Sequence, residues 1–158
     1  MSREERFTAA LKQLGCSFDG GLKRGGDYAA TVRHGDQIYV SGQIPRVDDA
    51  IVHSGTVGTE ISLDQAQDAA RICALRCLAL LREQLGSLDA IKAVLRITVF
   101  VQSADTFSQQ SEVANGASSI LHSVLGEAGA HTRTSVGVYR LPKNAPVEID
   151  LIAVAIQE

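Results

Sequence analysis

The 158-residue sequence contains no tryptophan, one methionine, three prolines and three cysteines. Aromatic residues make up 4% of it, four Phe and three Tyr. That is thin material for base-stacking platforms or for an aromatic cage around a quaternary amine. Cationic excess is missing too: 15 Lys plus Arg against 18 Asp plus Glu leave a net charge of −3. The chain therefore lacks the overall attraction that phosphate backbones and anionic lipid require, and neither nucleic acid nor a membrane is an expected partner. No apolar run approaches the ~18–20 residues of a membrane span. The charged, amphipathic start MSREERFTAALKQLG is unlike a secretory signal, so the expected location is the cytoplasm, with thiols reduced.

Chemistry-bearing motifs are equally scarce. There is no Gly-x-Gly-x-x-Gly after a strand, no Gly-Lys-Ser or Gly-Lys-Thr and no Gly-x-Ser-x-Gly. The pairs Gly20-Gly21 and Gly25-Gly26 have no helix start behind them and read as loop flexibility rather than phosphate binding. His34, His53, His122 and His131 are scattered without metal-ligand spacing. Cys73 and Cys77 stand at i, i+4 among apolar neighbours. Two metal ligands on one helix face are conceivable there, but small buried core thiols are the better reading.

What is present is the pattern of one α+β domain over 1–158, without repeats or linker-like tracts. Ser2 and Glu5 form a capping box, Phe7, Leu11 and Leu14 share a face, and Gly15 ends a short N-terminal helix. Strands are expected over 28–33 and 37–41 around a His34-Gly35-Asp36 turn, then a loop or short strand over 46–61. Ser62 and Gln65 open a long helix whose stripe runs from Ala66 to Leu81 and which Gly86 stops. A strand follows over 91–102, with Ile91, Ala93, Leu95, Ile97, Val99 and Val101 read as one face. A second helix over 105–126 is interrupted by Asn115-Gly116, and strands over 133–141 and 147–156 flank a Pro142–Pro146 turn. Two long helices against one mixed sheet follow from this order.

The last two strands carry the candidate chemistry. Alternation puts Arg133, Ser135, Gly137 and Tyr139 on one face. Arg133 is either a strand-end side chain in water or a guanidinium placed to grip a carboxylate with two parallel hydrogen bonds. Glu148 and Asp150 share a face with Ile152, Val154 and Ile156. A carboxylate entering so apolar a face is either at a solvated strand end or functional.

Taken together, Tyr28, Ser41-Gly42-Gln43-Ile44-Pro45, Asn115, Arg133-Thr134-Ser135-Val136, Arg140-Leu141-Pro142-Lys143 and Val147-Glu148-Ile149-Asp150 resemble the Rid (reactive intermediate deaminase, YjgF-like) family, often labelled endoribonuclease L-PSP. The resemblance runs from Tyr28 to the end, with the N-terminal helix (1–15) extra. It implies a chorismate-mutase-like α+β fold assembled as a homotrimer, with clefts between subunits. It implies hydrolysis of 2-imino or enamine acids to 2-keto acids and ammonia, with no metal and no organic cofactor. Carried over, Arg133 is the carboxylate-holding residue and Glu148 the acid beside the attacking water. Tyr28, Ser41, Gly42 and Asn115 line the cleft. Ser135 stands where the archetype has Cys, which excludes thiol chemistry while keeping a hydroxyl for substrate or water. Gly137 stands where the archetype has Glu, so open volume is expected there.

If the last two strands form a hairpin about Lys143-Asn144, residue 133 lies opposite about 154 and Glu148 opposite about 139. Arg133 and Glu148 are then roughly 20 Å apart in one chain, and a shared site requires a neighbouring subunit. The rival function is a non-catalytic trimer that binds small carboxylates or regulates a partner. An endoribonuclease reading is disfavoured by the charge and the scarce aromatics.

Overall fold

The computed structural model describes residues 1–157. Its elements are α1 (Arg3–Gln13), β1 (Thr31–His34), β2 (Gln37–Gln43), β3 (Arg46–Val47), β4 (Ala50–Ile51) and α2 (Leu63–Leu85). They continue with β5 (Ile91–Gln102), α3 (Gln110–Leu125), β6 (Thr132–Val138) and β7 (Val147–Ala155). The five-stranded sheet runs β1-β2-β7-β5-β6, and β3 and β4 form a separate small ribbon. Only β5 and β6 pair in parallel; the other neighbours in the main sheet are antiparallel.

Local chemistry sets the helix ends. Ser2 with Glu5 and Ser62 with Gln65 form capping boxes at α1 and α2, each satisfying backbone donors that the first turn leaves unpaired. Gly86, at φ 83°, closes α2 in the left-handed conformation. The α2 stripe and α3 bury Ile97, Val99, Val101, Ile149, Leu151 and Ala153 beneath them. Cys73 and Cys77 lie in this core, where their thiols donate to the Val147 and Ile149 carbonyls at 3.8 Å. Burial pushes the Cys77 thiol up to about 12 and that of Cys73 well above its ordinary value, so both remain protonated.

Several sequence expectations are corrected. Leu95 does not share a face with Ile97. Register shifts between Ile91 and Ala93 and between Val94 and Arg96 each insert a residue, turning Val94 inward and leaving Leu95 40% exposed. The second helix begins at Gln110, not 105, and Asn115-Gly116 does not interrupt it. Gly116 is where α3 crosses α2: an added Cβ would stand 2.4 Å from the Gln67 carbonyl oxygen. The first strand starts at Thr31, so Tyr28 lies in the preceding loop. Strand β2 runs on to Gln43 with a bulge after Val40. Most consequentially, β6 and β7 are not a hairpin: β5 lies between them.

Among the described residues no helix covers the other face of the sheet. Val32, Tyr39 and Val136 are 55%, 44% and 38% exposed there, beside the half-buried Phe100, Ile152 and Val154. The apolar face that the sequence assigned to Glu148, Asp150, Ile152 and Val154 is this uncovered one.

Candidate functional site

One group of candidate residues gathers where the β2 bulge meets β7. Gly42 sits in the bulge, and Glu148 folds over it: a Cβ at Gly42 would be 2.5 Å from Glu148 Oε1. Tyr28, Gly42, Gln43 and Glu148 line a cavity of 390 Å³. The Tyr28 ring lies against Gly26, whose added Cβ would meet Cε1 at 3.1 Å, and its hydroxyl accepts from the Gly25 amide at 3.3 Å. The Gly25-Gly26 pair therefore serves as a bed for this ring. Ser41 is close by without lining the cavity. Its hydroxyl donates to the Ala29 carbonyl at 2.7 Å and its amide to Ala30 at 2.9 Å, which ties the Tyr28 loop to β2.

Beneath the cavity floor Arg76 is 3% exposed. It donates to Gln43 Oε1 at 3.1 Å and to the Arg46 and Lys23 carbonyls at 2.8 and 3.1 Å. Gln43 donates in turn to the Ser41 carbonyl at 3.0 Å. These bonds make one rigid unit of the bulge and its flanking loops. Burial pushes the Glu148 carboxyl above its ordinary range, with the Asp150 charge acting in the same direction.

A second group forms at the sheet edge. Arg133, on β6, reaches across to α3. Nη1 donates to Asn115 Oδ1 at 2.9 Å and Ser118 Oγ at 3.0 Å, and Nη2 to Ser111 Oγ at 2.9 Å. Ser118 also meets His131 Nε2 at 2.8 Å, while His131 Nδ1 lies 2.6 Å from the Gly129 carbonyl. A carbonyl only accepts, so Nδ1 carries the proton, Nε2 accepts from the Ser118 hydroxyl, and Ser118 accepts from Arg133. Ser135 lies on the same face of β6 as Arg133, in register with the buried Val99. The volume expected beside Gly137 is not open. A Cβ there would meet Gln110 Nε2 at 3.0 Å and Ser103 Oγ at 3.2 Å.

The two groups do not meet within the chain. Arg133 pairs with Ile97 and Glu148 with Phe100, so β5 separates them by two strand spacings and three residues. That is about 14 Å between backbones. Their side chains also leave opposite faces, since Ile97 points into the helix layer and Phe100 to the bare side. The sequence reading put them roughly 20 Å apart along a hairpin; that hairpin does not form, and it is β5 that separates them, at the shorter distance. Ser111, Ser118 and Arg76 were not singled out, and His131 was read only as one of four scattered histidines. The readable signal was the polar set Ser111, Asn115 and Ser118 at i, i+4 and i+7, one line of side chains along the helix.

Residues 21–155 match the family model described as Endoribonuclease L-PSP. The chain belongs to that family. The Rid label of the sequence resemblance fits at the same level. Protein TCP17 of Trypanosoma cruzi is a relative, 40% identical over 148 residues, which are 93% of this chain and 92% of that protein. The crystal structure of Atu1372 from Agrobacterium tumefaciens is 37% identical with a TM-score of 0.86, covering 98% of this chain and 95% of that one. TdcF of Escherichia coli, crystallised with bound serine, is 25% identical with a TM-score of 0.60, over 84% of this chain and 91% of its own. The endoribonuclease L-PSP match begins after α1, whereas the likeness to Atu1372 spans nearly the whole chain, so a fold with this length of N-terminal segment recurs in that protein.

Among the described residues no group of His, Cys, Asp or Glu is arranged to hold a metal ion, and no helix is long and apolar enough to cross a membrane.

Proposed function

We propose that the protein is a cytoplasmic homotrimer that hydrolyses reactive 2-imino or enamine acids to 2-keto acids and ammonia. Each site is a cleft between two subunits. In the chorismate-mutase-like trimer, the bare sheet face with Val32, Tyr39 and Val136 is the face that subunits share. Arg133 of one chain then faces the Glu148 cavity of its neighbour.

The observation that carries this reading is the division of the site. A guanidinium braced by three α3 side chains and a half-buried carboxyl whose pKa burial raises occupy opposite faces of one sheet. Within one chain the two cannot reach one small molecule, which supports a cleft completed by a neighbour. The TdcF structure with bound serine supports a small carboxylate-bearing ligand for the cleft.

The chemistry asks for little more. An imine is already electrophilic, so orientation, a water and a proton shuttle suffice. Arg133 holds the substrate carboxylate. Glu148 takes a proton from water as its oxygen bonds to the imine carbon and the C=N π pair moves to nitrogen, which takes that proton back from Glu148 to give a carbinolamine. Glu148 then takes the hydroxyl proton and passes it to the amine nitrogen as the C–N bond breaks and the C=O forms, so that ammonia leaves and the 2-keto acid remains. Tyr28, Ser41, Gly42 and Asn115 shape the cleft or hold the residues that do, and Ser135 offers a hydroxyl beside Arg133.

The test is keto-acid release from 2-iminopropionate and longer imino acids generated in situ, with wild type and Arg133→Ala. The expected result is acceleration over the uncatalysed rate that the substitution removes. No acceleration across the panel overturns the enzyme. A protein that binds small carboxylates without accelerating hydrolysis is the regulatory alternative.

A further inference from the structure

The cavity that holds Glu148 is far more basic than one carboxylate requires. Lys23, Arg24, Arg46, Arg76 and Lys143 all line it, against the single acid Glu148. Gathering five cations around 390 Å³ in a chain of net charge −3 works against their mutual repulsion. Internal pairing does not account for them. Among the described residues, the ion pairs engage only Lys23 of the five, with Asp49. Arg76 spends its three nitrogens on neutral oxygens, Gln43 Oε1 and the Arg46 and Lys23 carbonyls, and makes no ion pair among the described residues although it is 3% exposed. Burial pulls its pKa down and pushes that of Glu148 up, which is the behaviour of charges lacking opposite partners.

One of these cations is brought there by a strained turn. Lys143 and Asn144, between β6 and β7, both adopt positive φ, 58° and 56°. Non-glycine residues hold that conformation in succession only where the surroundings impose it. Here the imposing group is Gln102, which is fully buried. Its Oε1 accepts from the Leu141 amide at 2.8 Å and its Nε2 donates to Asn144 Oδ1 at 2.7 Å. The Gly55 amide holds the Asn144 carbonyl at 2.9 Å. Arg24 is fixed from the other side, Nη1 donating to the Tyr28 carbonyl at 2.7 Å. The turn that carries Lys143 and the Arg24 guanidinium are thus each held at the cavity lining.

We propose that this cavity receives a second anionic group, so that the substrate is a 2-imino acid carrying a further carboxylate or phosphate-type group at its far end. Lys143 and Arg24 bind that group directly, Arg76 supplies charge from below, and Gln102 is a positioning residue for Lys143. The inference rests on the reading of Arg133 and Glu148 given above, because Arg133 already answers the first carboxylate.

The test uses stable keto acids and measures binding to the full chain by titration calorimetry. 2-Oxoglutarate and 2-oxopentanoate have the same carbon chain with two acid groups and one, and 2-oxo-4-phosphonobutanoate replaces the distal carboxylate. The expected result is a preference of roughly tenfold or more for the two-acid ligands at low salt, fading as salt is raised. Whether carboxylate or phosphonate binds more tightly identifies the group. Lys143→Gln and Arg24→Gln each narrow the gap, and Gln102→Leu narrows it through the turn. Equal binding of the two five-carbon acids, binding of neither, or a gap unmoved by both cation substitutions overturns the inference. A protein that discriminates but hydrolyses no imine keeps this inference and loses the enzyme; one that hydrolyses neutral imino acids without discrimination does the reverse.

Discussion

Gly42 makes room for Glu148: a Cβ on Gly42 would lie 2.5 Å from Oε1, 3.0 Å from Cδ and 3.2 Å from Cγ of that side chain. Such contacts cannot be kept, so Gly42→Ala swings the carboxylate out of its place over the β2 bulge. The Gly42 backbone is not in the left-handed region, so alanine is tolerated conformationally. The expected outcome is a fall in kcat for imino-acid hydrolysis of roughly ten- to a hundredfold, the scale of a misplaced general base. The melting temperature should move by no more than a few degrees. A variant with wild-type kcat would show that the Glu148 position does not matter.

Glu148 also fixes a pH dependence. Its carboxyl is held above the ordinary 4.5, first by burial and then by Asp150. Activity that needs the carboxylate therefore falls on an acid limb lying above 4.5, and Asp150→Asn moves that limb down. The sign for stability is the opposite of a salt-bridged acid. The folded state binds this proton more tightly than the unfolded one, so the contribution is present below 4.5 and lost as pH rises through the raised value. Glu148→Gln should accordingly raise the melting temperature at neutral pH but not in acid, while abolishing turnover. Equal shifts at both pH values would contradict the burial argument.

Gly116 tests the helix crossing. An alanine there would bring Cβ to 2.4 Å from the Gln67 carbonyl oxygen and 3.1 Å from its Cα, both backbone atoms that cannot rotate away. Overpacking of this kind costs about 1–3 kcal/mol. The denaturant midpoint of Gly116→Ala should drop correspondingly, with an unchanged slope. An alanine variant as stable as wild type would mean that the helices separate freely.

What was legible in the sequence was what local chemistry decides. Ser2 with Glu5 and Ser62 with Gln65 marked two helix starts, and Gly86 marked a stop. The strand over 91–102 stood out by its alternation, although its inner face did not, because two bulges shift the phase at positions that only the partner β7 defines. Asn115-Gly116 looked like a break since the reason for that glycine lies on another helix. The parallel pairing of β5 with β6 was invisible for the same reason, and with it the true relation of Arg133 to Glu148. Arg76 was hidden among apolar helix residues, and its role depends on three acceptors 30 to 53 positions away in the chain.

His131 should make stability sensitive to mild acid. Burial pushes its pKa below the ordinary 6.5, and the neighbouring His122 and Arg133 charges act the same way, against the Gly129 hydrogen bond. The unfolded chain then takes up this proton first. Stability is complete above 6.5 and is lost as pH falls from there towards the lower folded value. Wild type should melt lower at pH about 5.5 than at about 7.5, and His131→Gln should flatten much of that difference. A slope that survives the substitution would place its origin in another group.

The proposed division of the site between chains is open to a mixing experiment. Arg133→Ala and Glu148→Gln should each be inactive alone, because every cleft lacks one partner. When the two are unfolded together and refolded as mixed trimers, a cleft is intact if one subunit supplies Arg133 and its neighbour supplies Glu148. With random assembly the chance of each is about one half, so about one quarter of wild-type activity should return. A site contained within one chain predicts none, since no subunit in the mixture carries both residues. The proposed trimer forms through the bare sheet face, on which Tyr39 and Val136 lie. Recovery should therefore vanish when Val136→Arg is placed on both chains and the mixture runs as monomer in sizing chromatography.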